Sequence, residues 1–414
     1  MVENRRRTTR RTLLKGLAAG GAAAACPLVV PASALGLGGA TAPSERLTMG
    51  AIGVGNRGAA DLAAFMGFRE VQVLAVCDVN HRYLERAKAQ VDNRYGNRDC
   101  AARRDFRDVT RRADIDFVQI ATPDHWHAIP AIDACHNGKD VFCEKPLSLT
   151  IREGRAMVEA ARRHGRVFSG GSQRVFGDHG RLARYVHDGS LGRILEVWAS
   201  VGPTSYHWEL PAQPVPEWLD WDRWLGPAPW SPFHAKRIDH NRGWEMMRDY
   251  AGGQMTNWGA HTFGGALYAV GLDETGPVEV YPPDGKEHPH LTYVFADGLR
   301  LYKAKGPAGG GLLCFRGELG LAPHPKQPPP ASPKPMRQYS ASGLGADFLH
   351  CVRTRQRPFR DVEYAHRTAT VCHLGNIALW LGRPIRWDPE REAILGDPEA
   401  DRLLDRPRRE PWRL

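Results

Sequence analysis

The chain has 414 residues, room for two domains at ~100–200 residues each, and its 42% hydrophobic and 25% charged residues are globular values. The formal charge of +10 sits largely at the front, because residues 1–34 hold six basic side chains and one acid, leaving 50 basic against 45 acidic residues beyond them. That surplus is too small for a nucleic-acid surface, and no basic stripe interleaved with aromatics appears. Nor do the eight cysteines form a CxxC pair or a Cys/His cluster at zinc spacing, so no metal site is expected.

The front of the chain reads as an address. Thr9-Arg10-Arg11-Thr12-Leu13-Leu14-Lys15 matches a twin-arginine export signal, followed by an apolar run from Gly16 to Val30 and the small-residue triplet Ala32-Ser33-Ala34. Residues 1–34 are therefore expected to be a cleaved signal, and the mature protein periplasmic or secreted. The run is too short and too rich in Gly and Ala for a good membrane span, and no other stretch could supply one.

Residues 46–171 alternate strand and helix signals. Leu47 to Gly55 is an apolar strand ending in glycines, and Gly53-Val54-Gly55-Asn56-Arg57-Gly58 completes a GxGxxG loop that opens a helix from Ala59 to Met66. A second strand, Val71 to Val76, is closed by Asp78, twenty residues past Gly58. Strand, glycine loop, helix, strand and acid in that order form a dinucleotide-binding fingerprint. The glycines permit the tight turn and a close approach to pyrophosphate, while the helix start offers amide donors. Asp78 would accept hydrogen bonds from the adenosine ribose, which favours NAD; Arg82 nearby keeps NADP as the alternative.

Further helices are expected at Tyr83 to Val91, Ile129 to His136 and Ile151 to His164, and further strands at Asp116 to Ala121, Asp140 to Cys143 and Val167 to Ser169. Such alternation means a doubly wound parallel sheet, whose carboxyl-end loops share one crevice. Gly55, Asp78, the loop Thr122-Pro123-Asp124-His125-Trp126-His127, and Glu144-Lys145-Pro146 should all meet there. Thr122, Pro123, His125, His127, Glu144 and Lys145 are thereby candidate cofactor contacts, with Gly53, Gly55, Asn56, Arg57, Gly58 and Asp78. A carboxylate and an ammonium together at the end of an apolar strand are costly unless they serve a site. Pro146 fixes the backbone just after Lys145, and a cis bond there would aim the side chain sharply.

Residues 172–400 change rhythm and are expected to form an α+β domain on a mainly antiparallel, open sheet. Strand signals occur at Leu195 to Val201, Val278 to Tyr281, Leu291 to Phe295 and Leu299 to Lys303, with Asp297-Gly298 as a hairpin turn. Residues 203–236 are dense in Trp and Pro, suiting either a rigid cover or stacking on sugar rings. Residues 322–338 are proline-rich and expected as an extended loop. Helices are expected at Leu344 to Thr354 and Tyr364 to Leu381. The stretch Gly252 to His261 starts as a glycine loop and becomes a helix, with Asn257 and His261 four apart on one face.

On Gly53 to Gly58, Ala121 to His127, Glu144-Lys145-Pro146 and Gly252 to His261, the chain resembles the Gfo/Idh/MocA oxidoreductase family over roughly residues 46–385. The resemblance implies a Rossmann domain, a C-terminal open sheet that binds substrate and joins copies into a homo-oligomer, and NAD(P)-dependent oxidation of sugars or cyclitols. It puts the catalytic lysine at Lys145 and the catalytic histidine at His261. Many members carry aspartate where Asn257 stands; asparagine can hold a sugar hydroxyl but cannot take its proton.

The expected chemistry is oxidation of a secondary alcohol of a carbohydrate. His261 would remove the hydroxyl proton, and Lys145, its charge held by Glu144, would stabilise the developing alkoxide; alternatively Lys145 is itself the base. Asp124, Gln173, Arg174, Arg248, Asn257 and His261 are candidate substrate contacts. Because free NAD is scarce outside the cytoplasm, the cofactor would stay bound and be recycled. Coupled oxidation and reduction of two sugars is one scheme. Transient oxidation followed by elimination across a glycosidic bond, a glycosidase or lyase by net reaction, is the other. Asn257 also leaves room for a different class, a non-catalytic sugar-binding module on the same fold.

Overall fold

The computed structural model describes residues 41–239, 243–307, 311–322 and 342–414. The signal expected in residues 1–34, and the proline-rich run from residue 323 onward, lie outside the described residues. Ahead of the main body, Pro43–Glu45 forms one 3-10 turn, in which the Arg46 amide donates to the Pro43 carbonyl at 3.2 Å. The remainder, Leu47–Leu414, is one compact unit.

Its first half is built on six parallel strands: β1 (Leu47–Ile52), β2 (Val71–Cys77), β3 (Ala101–Arg103), β4 (Phe117–Ile120), β5 (Asp140–Cys143) and β6 (Phe168–Gly170). They lie in the order β3-β2-β1-β4-β5-β6, so the winding reverses between β1 and β4, the switch point at which open α/β sheets bind ligands. All the strands foreseen in this half are present. β3 was not foreseen, because Ala-Ala-Arg has neither β-branched nor aromatic residues.

Register decides what shares the crevice. Ile52 pairs with Cys77 on one side and Ile120 on the other, and Ile120 pairs in turn with Cys143, which pairs with Gly170. Five strands therefore end in one row. The residues just past each end, Gly53, Asp78, Ala121, Glu144 and Gly171, are brought side by side. Helix α1 (Asn56–Met66) starts directly behind this row, and α2 (His81–Tyr95) is capped by Asn80 Oδ1, which accepts from Arg82 N–H at 3.0 Å.

The second half forms an eight-stranded sheet around β7 (Ile194–Ala199), β8 (Glu279–Tyr281), β9 (Thr292–Val294) and β10 (Arg300–Tyr302), completed by β11 (Leu313–Gly317), β12 (Gly320–Ala322), β13 (Ile385–Asp388) and β14 (Ala393–Ile394). It is antiparallel except where β7 runs parallel to β10. Gly298 closes the β9–β10 hairpin at φ +86°, as the Asp-Gly pair foretold.

The two halves interlock. Phe348, on the helix Leu344–Thr354, lies 5.4 Å from Phe117 and 5.7 Å from Phe142, ring centre to ring centre, so a helix late in the sequence fills a face of the first sheet. Residues 403–414 return in the same direction. Arg406 pairs with Glu153 at 3.0 Å and donates to the His125 carbonyl at 2.8 Å, and Trp412 packs edge-on to Trp126 at 4.7 Å. Among the described residues the seven cysteines are buried and unpaired, and no helix is long and apolar enough to cross a membrane.

Candidate active site

A cleft of about 240 Å³ runs along the row of strand ends. One end is almost all backbone. Gly53 holds φ +76°, and a Cβ there would stand 2.7 Å from the Thr122 amide nitrogen. A Cβ on Gly58 would lie 1.9 Å from the Gly53 carbonyl oxygen, so the helix touches the loop only because both positions are glycine. Asn56 and Arg57, opening α1, line the cleft, and no side chain caps that helix start. Thr122 also lines it, and its buried Oγ1 meets no partner among the described residues. Uncapped amides at a helix start, a glycine cradle and an orphaned hydroxyl fit a pyrophosphate.

Asp78 stands at the same end. One carboxylate oxygen accepts from the Val54 amide at 2.8 Å and the other from the Asn80 amide at 2.8 Å, which ties β2 to the glycine loop. Burial pushes the carboxyl up to about 6, against those two amides, which favour the charged form. Arg82 lies over the Trp218 ring at 4.7 Å.

The Trp/Pro-rich segment covers this end. His81 N–H donates to the Trp218 carbonyl at 2.8 Å and Asp220 N–H to the Val79 carbonyl at 3.1 Å, stapling the segment beside Asp78. Trp221, Trp224, Phe233 and Tyr250 then form a separate aromatic cluster behind it. Of the two uses foreseen for these tryptophans, the rigid cover accounts for Trp221 and Trp224. Trp412 also lines the cleft, a contact that no local signal in the sequence announced.

The other end is made of side chains. Lys145 follows β5, its peptide bond to Pro146 is cis, and its Nζ donates to Asn257 Oδ1. Asn257 ends the short helix Gln254–Asn257, and Trp258 joins it to the helix Gly259–Val270 that carries His261. His261 N–H bonds the Trp258 carbonyl at 3.0 Å instead of that of Asn257, so the turn tightens at the joint. The His261 ring is buried, with Nδ1 2.8 Å from Ser172 Oγ. Burial, the charge of Lys145, and then other cations hold its pKa down to about 3, so the imidazole is neutral.

Glu144 departs from the expected role. Its Oε1 accepts from Arg57 Nε at 3.0 Å and its Oε2 from the Lys145 backbone amide at 3.0 Å. The charge it neutralises is that of Arg57, which also pairs with Asp61 at 2.6 Å; it does not hold the Lys145 ammonium. Glu245, not singled out from the sequence, lines the cleft and accepts from Asn257 Nδ2 at 3.2 Å.

Asp124 and Pro123 line the cleft. Burial holds the Asp124 carboxyl well above the usual range; Lys145 opposes this and Glu245 adds to it. The two loop histidines turn away. His125 Nε2 donates to the Trp224 carbonyl at 3.0 Å, with Tyr250 5.2 Å from its ring, so it anchors the loop from behind. His127 has Nδ1 2.8 Å from the Pro146 carbonyl oxygen and Nε2 2.8 Å from that of Thr122, tying two loops of the cleft together. Burial depresses its pKa while the two carbonyls favour the charged ring.

Four residues expected to grip substrate are not brought to the cleft wall: His261, buried against Ser172, and three others. Gln173 is exposed at the start of a short helix. Arg174 is tied to Asp178 at 2.5 Å, and Arg248 stacks on Trp380 at 3.8 Å.

A doubly wound sheet with a glycine cradle at its switch point, facing a lysine aimed from a neighbouring strand end, defines a dinucleotide-dependent oxidoreductase of two interlocked halves. The chain belongs to the Gfo/Idh/MocA oxidoreductase family: its NAD-binding Rossmann fold matches residues 47–172, and its C-terminal alpha/beta domain matches residues 181–302 and 330–414. The first half is thus an NAD-binding domain.

A glycosyl hydrolase family 109 protein of Saccharopolyspora erythraea is 36% identical over 205 residues, covering 45% of this chain and 44% of that one. An alpha-N-acetylgalactosaminidase of Shewanella oneidensis is 34% identical over 141 residues, covering 32% of this chain and 30% of that one. The chain spans less than half the length of these curated relatives. The aldose–aldose oxidoreductase of Caulobacter crescentus, solved with glycerol, shares the fold at a TM-score of 0.53 and 19% identity, over 82% of this chain and 99% of that one.

Proposed function

We propose that the protein oxidises a secondary alcohol of a sugar, cyclitol or glycoside, with an NAD that stays bound and is recycled. The observation that carries this reading is the meeting of Lys145 with Asn257 on the wall of the dinucleotide cleft. When bound, the dinucleotide supplies the two-electron acceptor.

The protein's own groups handle the proton and the oxygen. Lys145 offers a fixed positive charge to the carbinol oxygen as that oxygen turns to alkoxide, the moment at which a preorganised charge lowers the barrier. His261, its Nδ1 held 2.8 Å from Ser172 Oγ, would take the hydroxyl proton through Nε2. A pKa near 3 makes this imidazole a weak base, and its basicity rises as negative charge grows on the substrate oxygen in front of it. Asn257 holds a hydroxyl without taking its proton.

A second reading is favoured by Asp124. Burial raises the Asp124 carboxyl well above the usual range, which favours it as a proton donor, and the oxygen of a departing glycoside needs one. In that reading oxidation is transient: a base takes the acidified proton beside the new carbonyl, the glycosidic bond breaks as the leaving oxygen is protonated, water adds to the double bond that results, and return of the hydride makes the net result cleavage. The two named glycosidase relatives support it. Residues 1–34 support export through the twin-arginine route, which carries folded proteins and so permits a cofactor loaded beforehand.

The test is to identify the cofactor that co-purifies by mass spectrometry and then present free sugars, cyclitols and p-nitrophenyl glycosides, N-acetyl-α-galactosaminide among them. Net oxidation predicts absorbance of reduced NAD. Cleavage without such absorbance selects the second reading. Sugars that bind with neither outcome would leave only a binding module.

A further inference from the structure

Asn257 is the middle of a short polar chain. Its Oδ1 accepts from the Lys145 ammonium, and its Nδ2 donates to Glu245 Oε2 at 3.2 Å. An ammonium only donates and a carboxylate only accepts, so the two charges fix which end of the amide faces which. Gln254 Nε2 donates to the same Glu245 oxygen at 3.2 Å, which steadies it from a second side. Glu245 lies in the 3-10 turn Trp244–Met246 and lines the cleft together with Lys145, Asp124 and Asn257. The negative charge absent from position 257 is thus supplied from twelve residues earlier, one hydrogen bond further from the lysine.

We infer that Glu245 is a positioning residue for the reaction: it orients Asn257, and through that amide holds the Lys145 ammonium where it meets the carbinol oxygen. This rests on the reading that Lys145 acts on a carbinol. The amide bridges unlike charges, and each contact polarises the other. An aspartate at position 257 would instead set two carboxylates against each other beside one ammonium. Glutamate at 245 with asparagine at 257 is therefore one workable arrangement; an uncharged residue at 245 with aspartate at 257 is the swapped one. Glu245 also bears on Asp124, whose carboxyl its charge pushes further up.

The experiment is a four-member cycle in the full-length protein with its cofactor: unchanged, Glu245→Gln, Asn257→Asp, and both together. Each is assayed with the best p-nitrophenyl glycoside or free sugar of the panel, for bound NAD, and for thermal midpoint without substrate. Glu245→Gln should lower kcat about 10²-fold, with KM within about threefold and NAD retained. Asn257→Asp should lose a similar factor and lower the midpoint. The double variant should return to within about tenfold of the unchanged kcat and regain the midpoint, which a merely structural glutamate would not allow.

Unchanged kcat in Glu245→Gln, or a double variant no better than the poorer single one, overturns the inference. Should the unchanged protein turn over no probe, the functional reading fails by itself. The midpoints then decide: recovery in the double variant upholds the coupling of Glu245 with Asn257, and additive losses overturn it.

Discussion

The two ends of the cleft are made in opposite ways. At the Asp78 end, one loop of neighbouring residues does most of the work, with backbone atoms and the absence of side chains. At the Lys145 end, side chains from four places in the sequence converge: Asp124, Lys145, Glu245 and Asn257. A site of the first kind tolerates no added volume. A site of the second kind tolerates small changes of shape but not the loss of one polar partner.

The largest effect should come from Lys145→Ala, which removes the charge at the second end alone. Turnover of the best sugar or glycoside should fall about 10³-fold, with bound NAD still present by mass spectrometry. Loss of both together would blur the division between the ends. Gly58→Ala attacks the first end. Its methyl group would meet the Gly53 carbonyl oxygen, so NAD affinity by calorimetry should drop at least about 10²-fold, with a stability loss of ~1–3 kcal/mol in chemical denaturation. Full NAD affinity in this variant would show that the cradle yields.

Asp78 gives the contrast a pH signature. Ribose hydroxyls would donate to its ionised form, and burial has pushed that carboxyl up to about 6. NAD affinity should be level above that pH and fall about tenfold per unit below it, because binding must then first remove a proton. Asp78→Asn should flatten the profile. The smallest effect belongs to Trp412→Ala, which opens the wall against Trp126: a loss of about three- to tenfold in NAD affinity, at unchanged kcat once NAD is saturating.

Legibility followed the same division. The strand–glycine–helix–strand–acid order is local, so Gly53, Gly55, Gly58 and Asp78 could be read from spacing alone, and the register of β1, β2, β4 and β5 bears out the row of strand ends. Lys145 and Asn257 could be singled out, but not their contact, which spans 112 positions. Glu245 escaped because a lone glutamate between Trp and Met carries no periodicity, and only the folded turn shows that it faces Asn257. Arg174 and Arg248 misled for the converse reason: an arginine near a site reads the same whether it faces a ligand or, as here, Asp178 and Trp380. The pairing of Glu144 with Arg57 follows from register, since α1 begins beside the end of β5 and the shorter reach wins.

The wall that Trp412 completes comes from residues that leave the ribosome after everything they touch. Every strand of both sheets precedes Leu404, so a nonsense codon or a proteolytic nick just upstream would spare the strands and strip the Arg406 and Trp412 anchors. Nucleotide retention would then betray the damage before circular dichroism did.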